Sequence, residues 1–249
     1  MLLVHERNPR AVELFEAVRE HLDVDALPDN LHLVFGGDGW MLKCVHTHGA
    51  GPVYLGLNAG HLGFLLNEVS DPRLVAAAIM AGAWKDWTFP LLHIQLTHPD
   101  GRVSSCRAVN DAHAERLTGQ TAHLRVRVDG FTVVDEMVCD GLLTATALGS
   151  TAYNFSAGGV PCHPMVRGIH ITPICPHRPR MSPLMLPQDS VVEVEVLRHE
   201  RRPVRCAADG ISQGEVHQMT ISSAPDEIRL AFLNGHHFTE TMLRKVLMS

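Results

Sequence analysis

The chain has 249 residues, 45% of them hydrophobic and 19% charged, and 21 lysines and arginines against 27 aspartates and glutamates give a net charge of −6. It is too apolar for a disordered polymer and too acidic to grip nucleic acid through a bulk basic field, so a polyanionic ligand must be met by local cations and backbone N–H groups. No apolar run approaches the roughly 20 residues that span a bilayer, and Met1–Glu6 lacks a basic leader, so we expect a cytoplasmic protein with no membrane and no nucleic-acid partner.

Met1 to His5 reads as a short strand. Pro9 to Leu22 reads as a helix, with Val12, Phe15, Val18 and Leu22 at helical spacing and Pro9 suited to a first turn. Leu31 to Phe35 is a second strand that runs into Gly36-Gly37-Asp38-Gly39. A helix from Trp40 to about His46, a strand from Val53 to Leu57 and a helix from Leu74 to Met80 follow. Strands that alternate with helices predict a parallel α/β layer. From about Trp87 the period becomes two. Leu92–Leu96, Leu124–Val128, Val191–Val196, Thr220–Ser222 and Glu227–Leu233 read as half-buried strands. Pro99-Asp100-Gly101 and Asp129-Gly130 supply turns, and a helix over Thr239–Leu247 closes the chain. With no linker-like segment, two domains are expected to meet near residue 85.

The six cysteines are dispersed and form no CxxC pair, so reduced, packed thiols are expected. There are 17 histidines but no HExxH. Cys162-His163 and Cys175-Pro176-His177 are the densest Cys/His groups, and structural side chains suit them better than zinc. No metal-ligating residue is assigned.

Two clusters carry chemistry. Gly36, Gly37 and Gly39 stand where a strand enters a helix; glycines there allow positive φ and close approach of a phosphate to the helix N-terminus. Asp38 among them would repel an anion, yet it suits a proton acceptor beside a phosphoryl acceptor, or a metal partner. The competing reading is a tight turn with Asp38 as helix cap. Neither GxGxxG nor GxxxxGK[ST] is present. The second cluster, Gly149-Ser150-Thr151-Ala152-Tyr153 followed by Ser156-Ala157-Gly158-Gly159, reads as a ligand-contacting loop or a plain Ser/Thr cap. Asn110-Asp111 and Asp140-Gly141 read by default as turns.

Taken in order, these segments resemble the NAD kinase family. Gly36–Gly39 is similar to its GGDG signature, Asn58 to Leu65 to its N-x-G-x-LGFL stretch, and Asn110-Asp111 to its N-E/D pair. Asp140-Gly141-Leu142, Gly149–Tyr153, Ser156–Gly159 and Thr172–His177 follow its C-terminal signature. The GGDG signature alone is shared with diacylglycerol-type lipid kinases and phosphofructokinases. The resemblance implies an α/β N-terminal domain over 1–85, joined by the last helix at about 236–249, and a β-rich, sandwich-like NAD-binding domain over 86–235. It implies phosphoryl transfer from ATP or polyphosphate, with Mg²⁺, to the adenosine ribose 2′-hydroxyl of NAD, in a homo-oligomer (dimer or tetramer). On that resemblance Asp38 is the proton acceptor, and Gly36, Gly37, Gly39 and Lys43 meet nucleotide phosphates. Asn58, Asn110 and Asp111 bind the dinucleotide, with Asn110 and Asp111 on its nicotinamide–ribose part, and Asp140, Gly149, Ser150, Thr151, Ala152 and Tyr153 line the rest of the cleft.

The chain departs from the family pattern at Trp40 (usually Thr or Asn), Val138 (often basic), Ala147 (Pro), Leu148 (Thr) and Ile211 (Gln). These changes remove polar groups from the implied NAD site, which raises a second reading: a weak or inactive dinucleotide-binding sensor or scaffold. A lipid kinase is a third.

Overall fold

The computed structural model describes residues 1–60 and 63–248. In chain order β1 (Leu2–Val4), α1 (Pro9–Arg19), β2 (Leu31–Gly36), α2 (Asp38–His48), β3 (Val53–Asn58) and α3 (Pro72–Met80) alternate. The long β4 (Trp84–Thr97) leads into β5 (Val103–Ala108), β6 (Asp111–Arg116), β7 (Ala122–Val128), β8 (Phe131–Cys139) and β9 (Gly141–Thr146). A 3-10 turn over Leu148–Thr151 and the short α4 (Tyr153–Ser156) come next. Then follow β10 (Gly168–Ile174), β11 (Leu184–Pro187), β12 (Val192–Val196), β13 (Val204–Ala208), β14 (Ile211–Val216), β15 (Gln218–Leu233) and α5 (Phe238–Met248). The chain divides into two compact units, Met1–Phe89 with Asp226–Ser249, and Pro90–Pro225.

In the first unit β1, β2, β3 and the end of β15 pair in parallel, with Leu2 opposite Leu33, Leu33 opposite Leu55 and Leu55 opposite Ala231. Every residue of β2 and β3 is buried, as a parallel sheet covered on both faces requires. Asn8 starts α1 by accepting the Arg10 N–H, and Asp71 starts α3 by accepting that of Arg73. Phe35, Leu55, Leu57, Val75 and Ile79 share one core, each large side chain contributing roughly 1.5–3 kcal/mol on burial. At the start of α5, Phe238 meets Trp87, Phe89 and Phe232 edge-on. The final helix therefore packs on the α/β unit.

The second unit is antiparallel. The start of β15 pairs with β12, β12 with β7 and β7 with β8, while β11, β10, β9, β6, β13 and β14 follow one another in a second sheet. Ile94 of β4, with Leu124, Val126, Val194 and Ile221 from the first set of strands, meets Leu142, Ile171, Val204 and Cys206 from the second in one core. This is the sandwich-like, β-rich arrangement the resemblance implies. Asp129 and Gly130, both at positive φ, turn β7 into β8 as their sequence predicts.

Three expectations need correction. The helix after the glycine turn begins at Asp38, ahead of Trp40, because the Gly37 carbonyl already accepts the N–H groups of Trp40 and Met41. Asn110-Asp111 and Asp140-Gly141 lead into strands, Asp111 opening β6 and Gly141 opening β9. The two late strands are one continuous β15, with Pro225 exposed between the part paired to β12 and the part paired to β3. All six cysteines are free thiols. Burial pushes Cys44 and Cys106 up to about 11, which keeps them protonated at neutral pH. Among the described residues no helix is long and apolar enough to cross a membrane.

Candidate active site

The first unit carries the glycine turn. None of Gly36, Gly37 and Gly39 has positive φ, so handedness does not explain them, and close packing applies to Gly36 alone. A Cβ on Gly36 would lie 2.7 Å from the Trp40 Cδ1 atom, while Cβ atoms on Gly37 or Gly39 would meet nothing within 4 Å. The turn thus presents open backbone at the N-terminus of α2, where unpaired N–H groups and the helix dipole favour an anion. Lys43 is exposed one turn further along.

Asp38 is not the helix cap. Gly37 occupies that position and no side chain caps α2. The Asp38 carboxylate turns instead to the loop after β3: Oδ1 accepts the N–H groups of Phe64 and Leu65, each at 2.9 Å, and Oδ2 accepts that of Phe64 at 3.0 Å. These N–H donors orient the carboxylate toward the loop. Asn58 braces the same loop. Its Oδ1 accepts the Gly60 N–H and its Nδ2 donates to Glu68, both at 2.8 Å, so both ends of the amide work within the loop. His61 and Leu62 of that stretch lie outside the described residues.

The second unit gathers most of the other candidates. Asp209 sits at positive φ in the Asp209-Gly210 turn between β13 and β14. Its carboxylate accepts the N–H groups of Val109 (2.7 Å), Asn110 (2.8 Å) and Asp111 (3.2 Å). From the other side, Thr146 donates its hydroxyl to the Val109 carbonyl and its N–H to that of Asn110. The Thr146 hydroxyl also accepts the Gly149 N–H. Asn110 and Asp111 are thereby clamped between the Asp209 turn and the end of β9, both tens of residues further along the chain. Among the described residues Asn110 Oδ1 is a buried acceptor without a partner, which is what a site awaiting a ligand's donor leaves behind. Asp111 is buried, and desolvation first, then the nearby Asp209 charge, raises its pKa while His113 opposes the rise. His113 Nδ1 stands 3.5 Å from Asp111 Oδ1, and its ring meets Tyr153 edge-on at 5.1 Å.

Other candidates are placed differently. Asp140 adjoins the opposite end of the β6–β9 pair from Asp111 and ion-pairs with Arg116 at 2.7 Å. Ser150 and Thr151 are buried; the Ser150 hydroxyl donates to the Cys162 carbonyl and accepts the Cys162 N–H, so it shapes the loop from within. Ala152 is partly exposed and Tyr153 exposed beside them. Ala147, Leu148 and Val138, where the family carries other residues, are buried, whereas Ile211 is 45% exposed. Three of the departures therefore occupy buried positions. Asp209 is the residue that sequence reading missed as a site member. Its Asp-Gly pair signals a turn, but nothing local shows that the carboxylate reaches Asn110.

Gly149 is held without slack. A Cβ there would lie 2.1 Å from the Asn110 carbonyl oxygen, a backbone atom that cannot swing away. Gly149→Ala is expected to cost about 1–3 kcal/mol by overpacking and to push Asn110 off its position. A lower melting temperature together with weaker NAD binding by calorimetry checks this; an unchanged variant would show that the clamp tolerates slack.

Among the described residues no group of three or more His, Cys, Asp and Glu side chains is arranged to hold a metal.

The family model for the ATP-NAD kinase C-terminal domain matches residues 113–229. An NAD kinase of Rhizobium meliloti (strain 1021) is 37% identical over 82% of this chain and 78% of its own. One from Rickettsia prowazekii (strain Madrid E) is 31% identical over 98% and 96%. Among solved structures, a yeast NADH kinase complexed with NADH superposes with a TM-score of 0.78 at 26% identity, covering 90% of this chain and 67% of that one. With relatives this similar along most of both chains, the chain belongs to the NAD kinase family.

Proposed function

We propose that this protein is an NAD kinase, which transfers the terminal phosphoryl group of ATP or polyphosphate to the adenosine ribose 2′-hydroxyl of NAD and makes NADP. The observation that carries this reading is the open Gly37/Gly39 backbone beside a carboxylate, Asp38, that the Phe64–Leu65 loop fixes in place. A secondary hydroxyl is a poor nucleophile at neutral pH. Asp38 accepts its proton as the oxygen bonds to phosphorus, and the bridging bond to the donor breaks as ADP or shortened polyphosphate leaves. Gly36, Gly37 and Gly39 with Lys43 hold the donor's phosphates. Asn110 and Asp111 take the nicotinamide–ribose part of NAD, with Asp140 and the Gly149–Tyr153 loop around the rest and Asn58 shaping the loop that holds Asp38.

Mg²⁺ fits this donor set as an ion brought in by the phosphates, with Asp38 as the carboxylate of the turn, in keeping with its preference for few protein ligands. When bound it neutralises charge on the transferring group. We place the protein in the cytoplasm, as a dimer or tetramer, and light scattering at the mass of a single chain would remove the oligomer.

Purified protein with ATP or polyphosphate, Mg²⁺ and NAD should form NADP, read by a coupled NADP-specific dehydrogenase. NAD binding by calorimetry with no product from either donor would overturn the kinase reading and leave a dinucleotide sensor.

A further inference from the structure

Trp40 stands in the third position of α2, and three contacts define what it does. Its indole N–H donates to the Leu3 carbonyl of β1 at 3.3 Å. Its ring stacks on the His5 imidazole, with centroids 4.7 Å apart and planes inclined by 8°. The Lys43 ammonium lies 5.3 Å from the indole centroid, within cation–π range. The indole therefore joins the turn between β1 and α1 to the first two turns of α2.

These two segments are the walls of one cavity of about 780 Å³, lined by the Val4–Asn8 turn on one side and by Gly37, Gly39, Trp40 and Lys43 on the other. Arg7 and Lys43 bring a cation to each wall, Glu6 is the carboxylate among the lining residues, and Gly37 and Gly39 expose open backbone. Two cations on separately mobile walls would meet a ligand at an ordering cost. An aromatic tether that fixes both walls removes that cost in advance.

We propose that Trp40 is a positioning residue for the phosphoryl donor: by tying the His5 turn to α2 and steadying Lys43, it preforms the Arg7–Lys43 spacing for a linear chain of phosphates, whether a nucleotide or inorganic polyphosphate carries it. This rests on the kinase reading. Trp40 touches no reacting atom; it acts through Lys43 and through the turn that carries Arg7. A small residue at this position leaves the same cations unsupported.

The test compares wild type, Trp40→Phe, Trp40→Thr, Lys43→Met and the Trp40→Thr/Lys43→Met pair, with ATP and with inorganic polyphosphate as donors. Trp40→Thr is expected to raise the KM of both donors about tenfold while kcat at saturating donor and the KM for NAD stay within about twofold. Trp40→Phe, which keeps a ring for His5 and Lys43 but loses the Leu3 hydrogen bond, should fall between and guards against a threonine variant that fails to fold. In the Lys43→Met background the threonine change should add less than about twofold, since the two act as a unit. Additive effects, a donor KM unchanged in the folded variants, or an equal shift in the KM for NAD would overturn the proposal. So would a rise for ATP alone, which would mean that the indole meets the nucleoside and not the phosphates. If wild type makes no NADP, the kinase reading has failed by itself. Calorimetry with tripolyphosphate then decides the proposal: Trp40→Thr must weaken its binding about tenfold to sustain it, and equal binding ends it.

Discussion

Asp38→Asn is expected to lower NADP formation by about 10²–10⁴-fold, the usual worth of a placed proton acceptor. The geometry makes this substitution informative because it separates two duties of one carboxylate. An asparagine oxygen in the place of Oδ1 still accepts from Phe64 and Leu65, the two 2.9 Å bonds, while the 3.0 Å contact of Oδ2 is given up. The loop after β3 therefore keeps most of its anchor, and the melting temperature should fall by an amount equivalent to about 1 kcal/mol. Asp38→Ala removes all of these contacts and should lose both stability and turnover. If catalysis needs the loop anchor but no base, asparagine will retain near-wild-type turnover and alanine will not. A stable Asp38→Asn protein that makes NADP at the normal rate would end the case for Asp38 as proton acceptor. On the proposed placement of Mg²⁺ beside Asp38, loss of the carboxylate should also raise the KM for ATP.

Asp209→Ala carries the second large effect. Three backbone N–H groups, those of Val109, Asn110 and Asp111, point at one carboxylate. Removing it leaves partly buried donors unpaired, at a cost of about 3–5 kcal/mol when the charge-assisted bonds are lost together. Because those donors belong to the segment that carries Asn110, we expect a KM for NAD raised at least about tenfold, which is roughly 1.4 kcal/mol at the site. Two variants dissect the cause. Asp209→Asn tolerates the positive φ of 47° and keeps one acceptor oxygen, so it should be intermediate. Asp209→Gly suits that backbone better than any other residue yet has no acceptor, so it should be as impaired as alanine. A glycine variant with normal affinity for NAD would mean that backbone strain, and not the carboxylate, governs this corner.

How much of this was legible follows from the range of each interaction. The opening α/β layer was readable because Leu31–Phe35 and Val53–Leu57 are short apolar runs flanked by helical periods, and both lie where expected. The glycine turn was readable as a phosphate-approach site, but not the direction in which Asp38 faces, since Phe64 and Leu65 lie far along the chain. Asn110-Asp111 looked like a turn because Asn and Asp favour turns locally. Asp209 and Thr146 override that preference from a distance, and no local pattern encodes such a clamp. Thr220–Ser222 and Glu227–Leu233 read as two strands, whereas β15 runs through both, with Pro225, which has no ladder donor, exposed between two differently paired stretches. Asn58 matched a motif, and its amide also braces Gly60 and Glu68, so a motif residue can serve the shape of a site as well as its ligand.

The path of β15 also bears on how the chain is made. The first unit is assembled from both ends of the polypeptide, whereas the second is one uninterrupted stretch. During synthesis β3 leaves the ribosome with one ladder edge unsatisfied, because Val53, Tyr54 and Leu55 await Arg229, Leu230 and Ala231. The antiparallel stretch ends at Pro225, a few residues ahead of Arg229, so the nascent α/β layer is the last to close. Until that moment an apolar, fully buried strand stands open to pairing with another nascent chain. Ribosomes that stall before Arg229 should therefore yield a product that aggregates through β3, whereas synthesis past Ala231 supplies the strand that seals that edge.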